Sequence, residues 1–205
     1  RQMCIRDSRR PRPGGLAVHI DAAGLHYREL NARIREAIAC GQHQIVLDNV
    51  NGQRYLGAGL NGALHLTING VPGNDLAAFM DGAQIVVNGN AQDGVGNAMN
   101  RGTVIVRGNA GDILGYSMRG GKIFVQGSVG YRVGIHMKSY GEQCPVIVVG
   151  GCARDFLGEY MAGGILLVLG LTSPREEPVT GNYVGTGMHS GVLYLRGHLE
   201  DYQLG

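Results

Sequence analysis

Hydrophobic positions along this chain fall into two kinds of short segment that alternate from Gln44 to the C-terminus. The first is a pentapeptide that opens on Leu or Val, places a small residue second and closes on Met or Leu. It reads Leu56-Gly-Ala-Gly-Leu60, Leu76-Ala-Ala-Phe-Met80, Val95-Gly-Asn-Ala-Met99, Leu114-Gly-Tyr-Ser-Met118, Val133-Gly-Ile-His-Met137, Leu157-Gly-Glu-Tyr-Met161 and Val184-Gly-Thr-Gly-Met188. The closing residues lie 20, 19, 19, 19, 24 and 27 apart. A sustained period near 20 residues marks a solenoid, in which each repeat buries its apolar face only against its neighbours.

The second kind of segment is a β-branched run closing on Gly or Asn. The runs are Gln44–Asn49, Leu66–Gly70, Ile85–Gly89, Val104–Gly108, Ile123–Gly127, Val146–Gly150, Leu166–Gly170 and Leu193–Gly197. They are too brief for helices and read as strands. Side chains alternate along a strand, so one face takes Leu66/Ile68, Ile85/Val87, Val104/Val106, Ile123/Val125, Val146/Val148, Leu166/Val168 and Leu193/Leu195. The closing Gly or Asn is expected to turn a corner through positive φ. One strand per coil, all in one direction, predicts an all-β, right-handed parallel β-helix of about seven coils, roughly 34 Å long at roughly 4.8 Å per coil. Two coils are stretched, by Ser139–Gln143 and by Thr172–Pro178, which read as surface loops.

Before the first strand, His26 to Cys40 carries a different period. Leu30, Ile34, Ala37 and Ile38 share one helical face, Arg28, Arg33 and Arg35 the other, and Gly41 stands where a helix C′ residue belongs. Residues 16–42 are therefore expected to form a capping helix segment over the exposed strand edge, and residues 43–205 the β-helix. No cap is visible after the last strand, so the β-helix is expected to be truncated at its C-terminus.

The middle residue of each strand should face away from the core, yet it is Val86, Ile105, Phe124, Ile147, Leu167 and Tyr194. Such an apolar ladder on an outer face marks an interaction surface. A fifteen-residue helix spans roughly 22 Å and cannot cover both the end and the ladder. These six residues are therefore the candidate partner interface.

Residues 1–15, with no periodicity and five Arg against one Asp, read as a non-native or disordered tail of net charge +4. The whole chain carries +2, so the remainder is about −2 (2 − 4), and the pI near 8.4 belongs to the tail. This gives no support for nucleic-acid binding. No apolar run reaches 18 residues, which excludes a membrane-spanning helix. Cys4, Cys40, Cys144 and Cys152 form no CxxC pair and no signal peptide is present, which points to a reduced, cytoplasmic protein. The cysteines are expected to be buried in the solenoid rather than to hold a metal.

Candidate chemistry is sparse. Gly57–Gly62 matches GxGxxG but lies inside a corner repeat, with no strand–turn–helix context for a dinucleotide. His136 and His189 are the two corner histidines, without a carboxylate at defined spacing. Asp93, Asp112 and Asp155 fall at similar coil positions, the arrangement an autonomous carbohydrate-active β-helix enzyme would need, but each neighbours Gly in a turn, where Asp commonly serves the backbone.

The segments Asn49–Gly59, Gly73-Asn-Asp-Leu76, Gly89–Gly96, Gly134-Ile-His-Met137, Gly158–Gly163 and Gly185-Thr-Gly-Met-His189 resemble the GXGXG domain of glutamate synthase, over about residues 18–205. The chain is most similar to the stand-alone form of that domain, whose members usually continue past the position of Gly205. The resemblance implies a non-catalytic subunit of a complex that makes glutamate from glutamine, 2-oxoglutarate and reductant. Its partners would be a glutamine amidotransferase subunit and an FMN/iron-sulfur synthase subunit. FMN and the iron-sulfur clusters would sit on those partners, and this chain would contribute no catalytic, cofactor or metal residues. The β-helix subunits of N-methylglutamate synthase and of formylmethanofuran dehydrogenase share the domain.

Overall fold

The computed structural model describes residues 17–174 and 176–205; the expected tail, residues 1–15, lies outside them. The strands are β1 (Val18–Asp21), β2 (Gln44–Asn51), β3 (His65–Val71), β4 (Asp81–Asn88), β5 (Arg101–Val106), β6 (Lys122–Val125), β7 (Val146–Val149), β8 (Ala162–Val168) and β9 (Ser190–Leu195). All pair in parallel, in chain order, in one sheet. The fold is a parallel β-helix, with six full turns between the first pentapeptide and the seventh.

The helix expected near the N-terminus is α1 (Tyr27–Ala39). It ends in a Schellman motif, in which Gly41 N–H donates to Ile38 C=O (2.9 Å) and Gln42 N–H to Ala37 C=O (3.1 Å), with Gly41 at φ 83°. Leu30 and Ile34 are buried and join the continuous core. The buried Asn31 donates through Nδ2 to Tyr27 C=O (2.8 Å) and Arg54 C=O (2.9 Å), fixing α1 against the first corner. The sheet, however, begins before the helix. β1 pairs with β2 through Val18↔Ile45 and Ile20↔Leu47, and its four residues are too few for a periodic signal.

The pentapeptides are the corners, and their backbone explains their composition. In Ile113–Met118 the N–H of Tyr116 donates to Ile113 C=O and that of Met118 to Gly115 C=O, each at 3.1 Å. Gly115 (φ 72°) and Ser117 (φ 51°) are the left-handed residues of these overlapping turns, which is the type II pattern. Gly115 N–H then donates back to Val95 C=O (2.8 Å) and Ser117 N–H forward to Ile135 C=O (2.9 Å), so each corner is stitched to both neighbours. A Cβ on Gly115 would lie 2.4 Å from Ile147 Cδ1. At Gly115 the second pentapeptide position therefore uses both glycine's φ and its lack of a side chain, whereas Ala77 (φ 60°) holds the same position in the second pentapeptide.

The strand-closing residues meet the expectation in half of the coils. Asn49, Gly70, Gly170 and Gly197 have positive φ, but Gly89, Gly108, Gly127 and Gly150 do not. A Cβ on Gly108 would stand 2.2 Å from Asn90 Oδ1, and one on Gly127 2.2 Å from Asn109 Oδ1. Close stacking of successive coils, not backbone sign, requires glycine at these two.

At the C-terminal end a short segment lies against the last corner, while β9 is the edge strand of the sheet. Residues Asp201–Gln203 form a 3₁₀ turn, Leu204 bridges Val184, and buried Gln203 donates through Nε2 to Thr180 C=O and Gly181 C=O (3.3 Å each). At the other end buried Gln53 does the same for Ala22 C=O (3.0 Å) and Leu25 C=O (3.2 Å). Among the described cysteines the expected burial fails, since Cys40 and Cys144 are exposed and Cys152 is half-buried, its Sγ 2.9 Å from Ser173 Oγ; Cys4 lies outside the described residues.

Candidate functional site: the outer face of the sheet

Register places the inward columns first. Ile45, Leu66, Ile85, Val104, Ile123, Ile147, Leu166 and Leu193 align across the sheet, and Leu47, Ile68, Val87, Val106, Val125, Val149, Val168 and Leu195 form the second column. Ile147 is thus a core residue with 0% exposure, not part of the outer ladder. Its place is taken by Val148, which aligns with Phe124 and Leu167. The cause is the Gly150-Gly151 pair. Gly151 N–H donates to Gly127 C=O (2.8 Å), so the second glycine, not the first, corresponds to the closing glycine of the preceding strand. A one-residue slip exchanges the two faces of a strand.

The outer ladder is therefore Thr67, Val86, Ile105, Phe124, Val148, Leu167 and Tyr194. Phe124 is 37% exposed and Tyr194 56% exposed, while Val86, Ile105, Val148 and Leu167 are half-buried by their stacked neighbours. The column beside it runs His65, Gln84, Thr103, Lys122, Val146, Ile165 and Val192. It is polar through β6 and apolar from β7 onward. On the ladder's other side Asn88, Arg107 and Gln126 give way to Gly150 and Leu169 before Arg196 closes the column, with the exposed Leu171 just beyond Leu169. The apolar surface is one residue wide over β4–β6 and two to three wide over β7–β9. A shallow groove of about 380 Å³ lies along its border, lined by Ile105, Arg107, Phe124, Gln126, Val148, Leu169 and Leu171.

The widening was readable but missed. Val146-Ile-Val-Val149 and Ile165-Leu-Leu-Val-Leu169 are apolar at every position, the mark of strands covered on both faces.

The turn aspartates bond the backbone. Asp93 Oδ1 accepts from Asp112 N–H, Asp112 Oδ1 from Tyr131 N–H, and Asp155 Oδ1 from Asn182 N–H, each at 2.9 Å. Each carboxylate bonds the backbone of the next coil, so the structure gives these aspartates a stacking role rather than that of a hydrolytic pair. Asn90 and Asn109 form a parallel ladder, Oδ1 to the N–H of Asn109 and of Ser128 (2.8 Å each). Gly57, from the GxGxxG match, packs under Ile85 at a corner. His136 and His189 sit two corners apart.

Electrostatic features cluster near the N-terminal coils. The Asp48 carboxyl is held below the usual aspartate value, first by Asn69 Nδ2 (2.6 Å) and then by His19 Nδ1 (2.8 Å). Asp21 is lowered by Asn49 Nδ2 (2.9 Å) and the Ala23 N–H (3.0 Å). Asp81 is lowered by the fork of Arg101, at 2.6 and 3.0 Å, which in turn is raised. Among the described residues there is no group of three or more His, Cys, Asp or Glu able to hold a metal, and no helix long and apolar enough to cross a membrane.

Two comparisons bear on this geometry. The chain is 49% identical over 193 residues to the uncharacterized protein MJ1350 of Methanocaldococcus jannaschii, covering 92% of this chain and 74% of that relative. A model of the GXGXG motif family matches residues 42–204, the corners and strands described above. The alternating left-handed corner residues, such as Gly94 and Gly96, are the physical content of that motif, and the chain belongs to the GXGXG motif family.

Proposed function

We propose that this chain is a non-catalytic structural subunit of a glutamate synthase-type oxidoreductase complex, working in the cytoplasm. It braces a glutamine amidotransferase subunit and a synthase subunit that carries FMN and iron-sulfur clusters. Membership of the GXGXG motif family supports this class of complex. The observation that carries the bracing role is the apolar outer face of β7–β9, centred on Val148, Leu167 and Tyr194. Stacking on neighbouring strands buries these residues only in part, and a partner surface would bury the remainder at roughly 25 cal/mol per Å².

The test is co-expression with candidate amidotransferase and FMN-domain proteins, followed by affinity capture and an assay of glutamine-dependent glutamate formation from 2-oxoglutarate. Co-purification, with activity that falls when this chain is omitted, is the expected result. A chain that stays apart from both proteins, or activity unchanged by its omission, would sink the proposal.

A further inference from the structure

Away from the sheet, the corners of the fourth to sixth pentapeptides form an open groove of about 360 Å³ lined by Tyr116, Ser117, Arg119, His136, Lys138 and Tyr160. Arg119 and Lys138 each follow the closing Met of their corner, and their N–H groups donate to Met99 C=O (2.9 Å) and Met118 C=O (3.0 Å) of the preceding coil. The two cations are therefore stacked on adjacent coils, roughly 4.8 Å apart at backbone level. Among the described residues no carboxylate lies within ion-pair distance of either. The contrast with nearby cations is direct. Arg101 is neutralised by Asp81, and Arg132 pairs with the corner carboxylate of Glu159. Like charges held side by side repel, and an anion lodged between them would relieve that cost.

The rings beside this pair occupy a position that small residues hold in four of the seven corners. The fourth pentapeptide position is left-handed in every coil and holds Gly59, Ala98, Ser117 and Gly187 in those four, with Phe79 in the second. In two adjacent coils it holds His136 (φ 54°) and Tyr160 (φ 51°). Bulky residues there cost backbone energy, so packing of the coil does not call for them. The His136 ring stacks on Tyr160 (centroids 5.2 Å, planes 12°) and meets Tyr116 edge-on (5.9 Å, 88°), giving a row of rings beside the cations. Tyr160 is 46% exposed.

We infer that this groove binds an extended acidic segment of a partner protein, with carboxylates between Arg119 and Lys138 and neighbouring side chains against the rings of Tyr116, His136 and Tyr160. Clustered cations reading an acidic motif are an established recognition mode. The occupant is a segment rather than a small molecule, because the groove lies open along the stack, whereas ligand pockets enclose most of their ligand. The inference adds a second contact to the bracing role and rests on that reading only for the existence of a partner.

The test uses the full chain and a short fluorescein-labelled peptide of alternating glutamate and tyrosine, read by fluorescence anisotropy. Saturable binding is expected, weakened as salt rises, lost at least tenfold in Arg119→Glu/Lys138→Glu and retained in Arg119→Lys/Lys138→Arg. Lys122→Glu, on the sheet face, serves as the control and should bind like the wild type. Circular dichroism confirms that each variant folds. Amide chemical shifts that move at residues 116–119 and 136–138 on titration localise the peptide without any substitution. No binding to wild-type protein, unchanged affinity in the double reversal, or equal binding of a lysine–tyrosine peptide would overturn the inference. Displacement of the peptide by millimolar inorganic phosphate, in excess of what sodium chloride of equal ionic strength causes, would assign the groove to a small anion and overturn it as well. Any of these failures leaves the sheet-face contact, tested by capture of the partner subunits, standing or falling by itself.

Discussion

The outer face of the single sheet divides into two regions. Across β3–β6 the apolar ladder is flanked by Gln84, Thr103 and Lys122 on one side and Asn88, Arg107 and Gln126 on the other. Across β7–β9 the corresponding flanks are Val146, Ile165 and Val192 on the first side and Gly150, Leu169 and Arg196 on the second. The inner columns do not change along the stack, since both halves bury Ile, Leu and Val there. Folding therefore makes the same demand of both halves, and the difference outside them comes from something else. Acidic devices follow the opposite trend: Asp21, Asp48 and Asp81, the carboxyls held below the ordinary value, all belong to the first half. One half is finished against water and the other is left apolar, as the proposed partner contact would require.

The largest effect expected tests where that apolar half begins. Ile147→Asp puts a charge at a fully buried site and should abolish the cooperative fold, a loss above about 4 kcal/mol. Val148→Asp, one residue on, should stay folded and lose about 1 kcal/mol in urea denaturation. Equal losses, or the reverse order, would mean that β7 is paired one residue out of register.

Next in size is a pair of glycine substitutions at equivalent corners with the same backbone. Gly96 (φ 71°) and Gly185 (φ 70°) share the strain of an added Cβ, about 1 kcal/mol. Their surroundings differ, because that Cβ would stand 2.4 Å from Ile123 Cδ1 at Gly96 but 3.7 Å from Met188 Sδ at Gly185. Gly96→Ala should therefore cost about 2–3 kcal/mol and Gly185→Ala about 1 kcal/mol, by denaturant titration. Similar costs would show that strain alone sets glycine at these corners.

These residues also show what the sequence makes legible. Period and alternation are set by nearest-neighbour stacking, so the pentapeptides, the strands, the parallel order and α1 with its Gly41 terminus all read directly from spacing. Features that depend on one residue of register did not, because Gly150-Gly151 offers two equivalent closing glycines and only the hydrogen bond to Gly127 selects between them. The same slip misplaced Ile147 in the interface and hid the broad patch of Val146, Val148 and Ile165. β1 is four residues long and the C-terminal turn depends on the long-range bonds of Gln203, so neither has a local signature. The groove at Arg119 and Lys138 brings together residues from three coils, a juxtaposition that appears only once the coils are stacked.

A smaller effect should separate the two halves as contact surfaces. Leu167→Asp should lower affinity for a captured partner subunit at least tenfold, about 1.4 kcal/mol, while the chain stays folded with a stability loss of about 1 kcal/mol, like that of Val148→Asp. Thr67→Asp, on the same ladder but in the polar half, should bind like the wild type. Comparable losses from both would show that the partner reads the whole ladder, and no loss from either would remove the sheet face from the contact.

The smallest effect concerns acid. In the folded chain the carboxyls of Asp21, Asp48 and Asp81 titrate below their ordinary 3.8, because Asn49, Asn69 and Arg101 respectively bind the ionised form. A carboxyl lowered by folding stabilises the fold fully above its unfolded value and loses that contribution as pH falls through the folded one. The window thus opens near pH 4 and extends downward. All three groups are solvent-exposed, so the effect is modest and shrinks in salt. Because a solenoid opens coil by coil, the loss should be local. Amides of β1–β4 should exchange faster at pH 3 relative to those of β7–β9, after correction for intrinsic exchange, than they do at pH 6. Asp48→Asn and Asp81→Asn together should flatten that difference. Uniform acceleration along the stack would instead mean that the coils unfold as one unit, and that the charged half and the apolar half share a single stability.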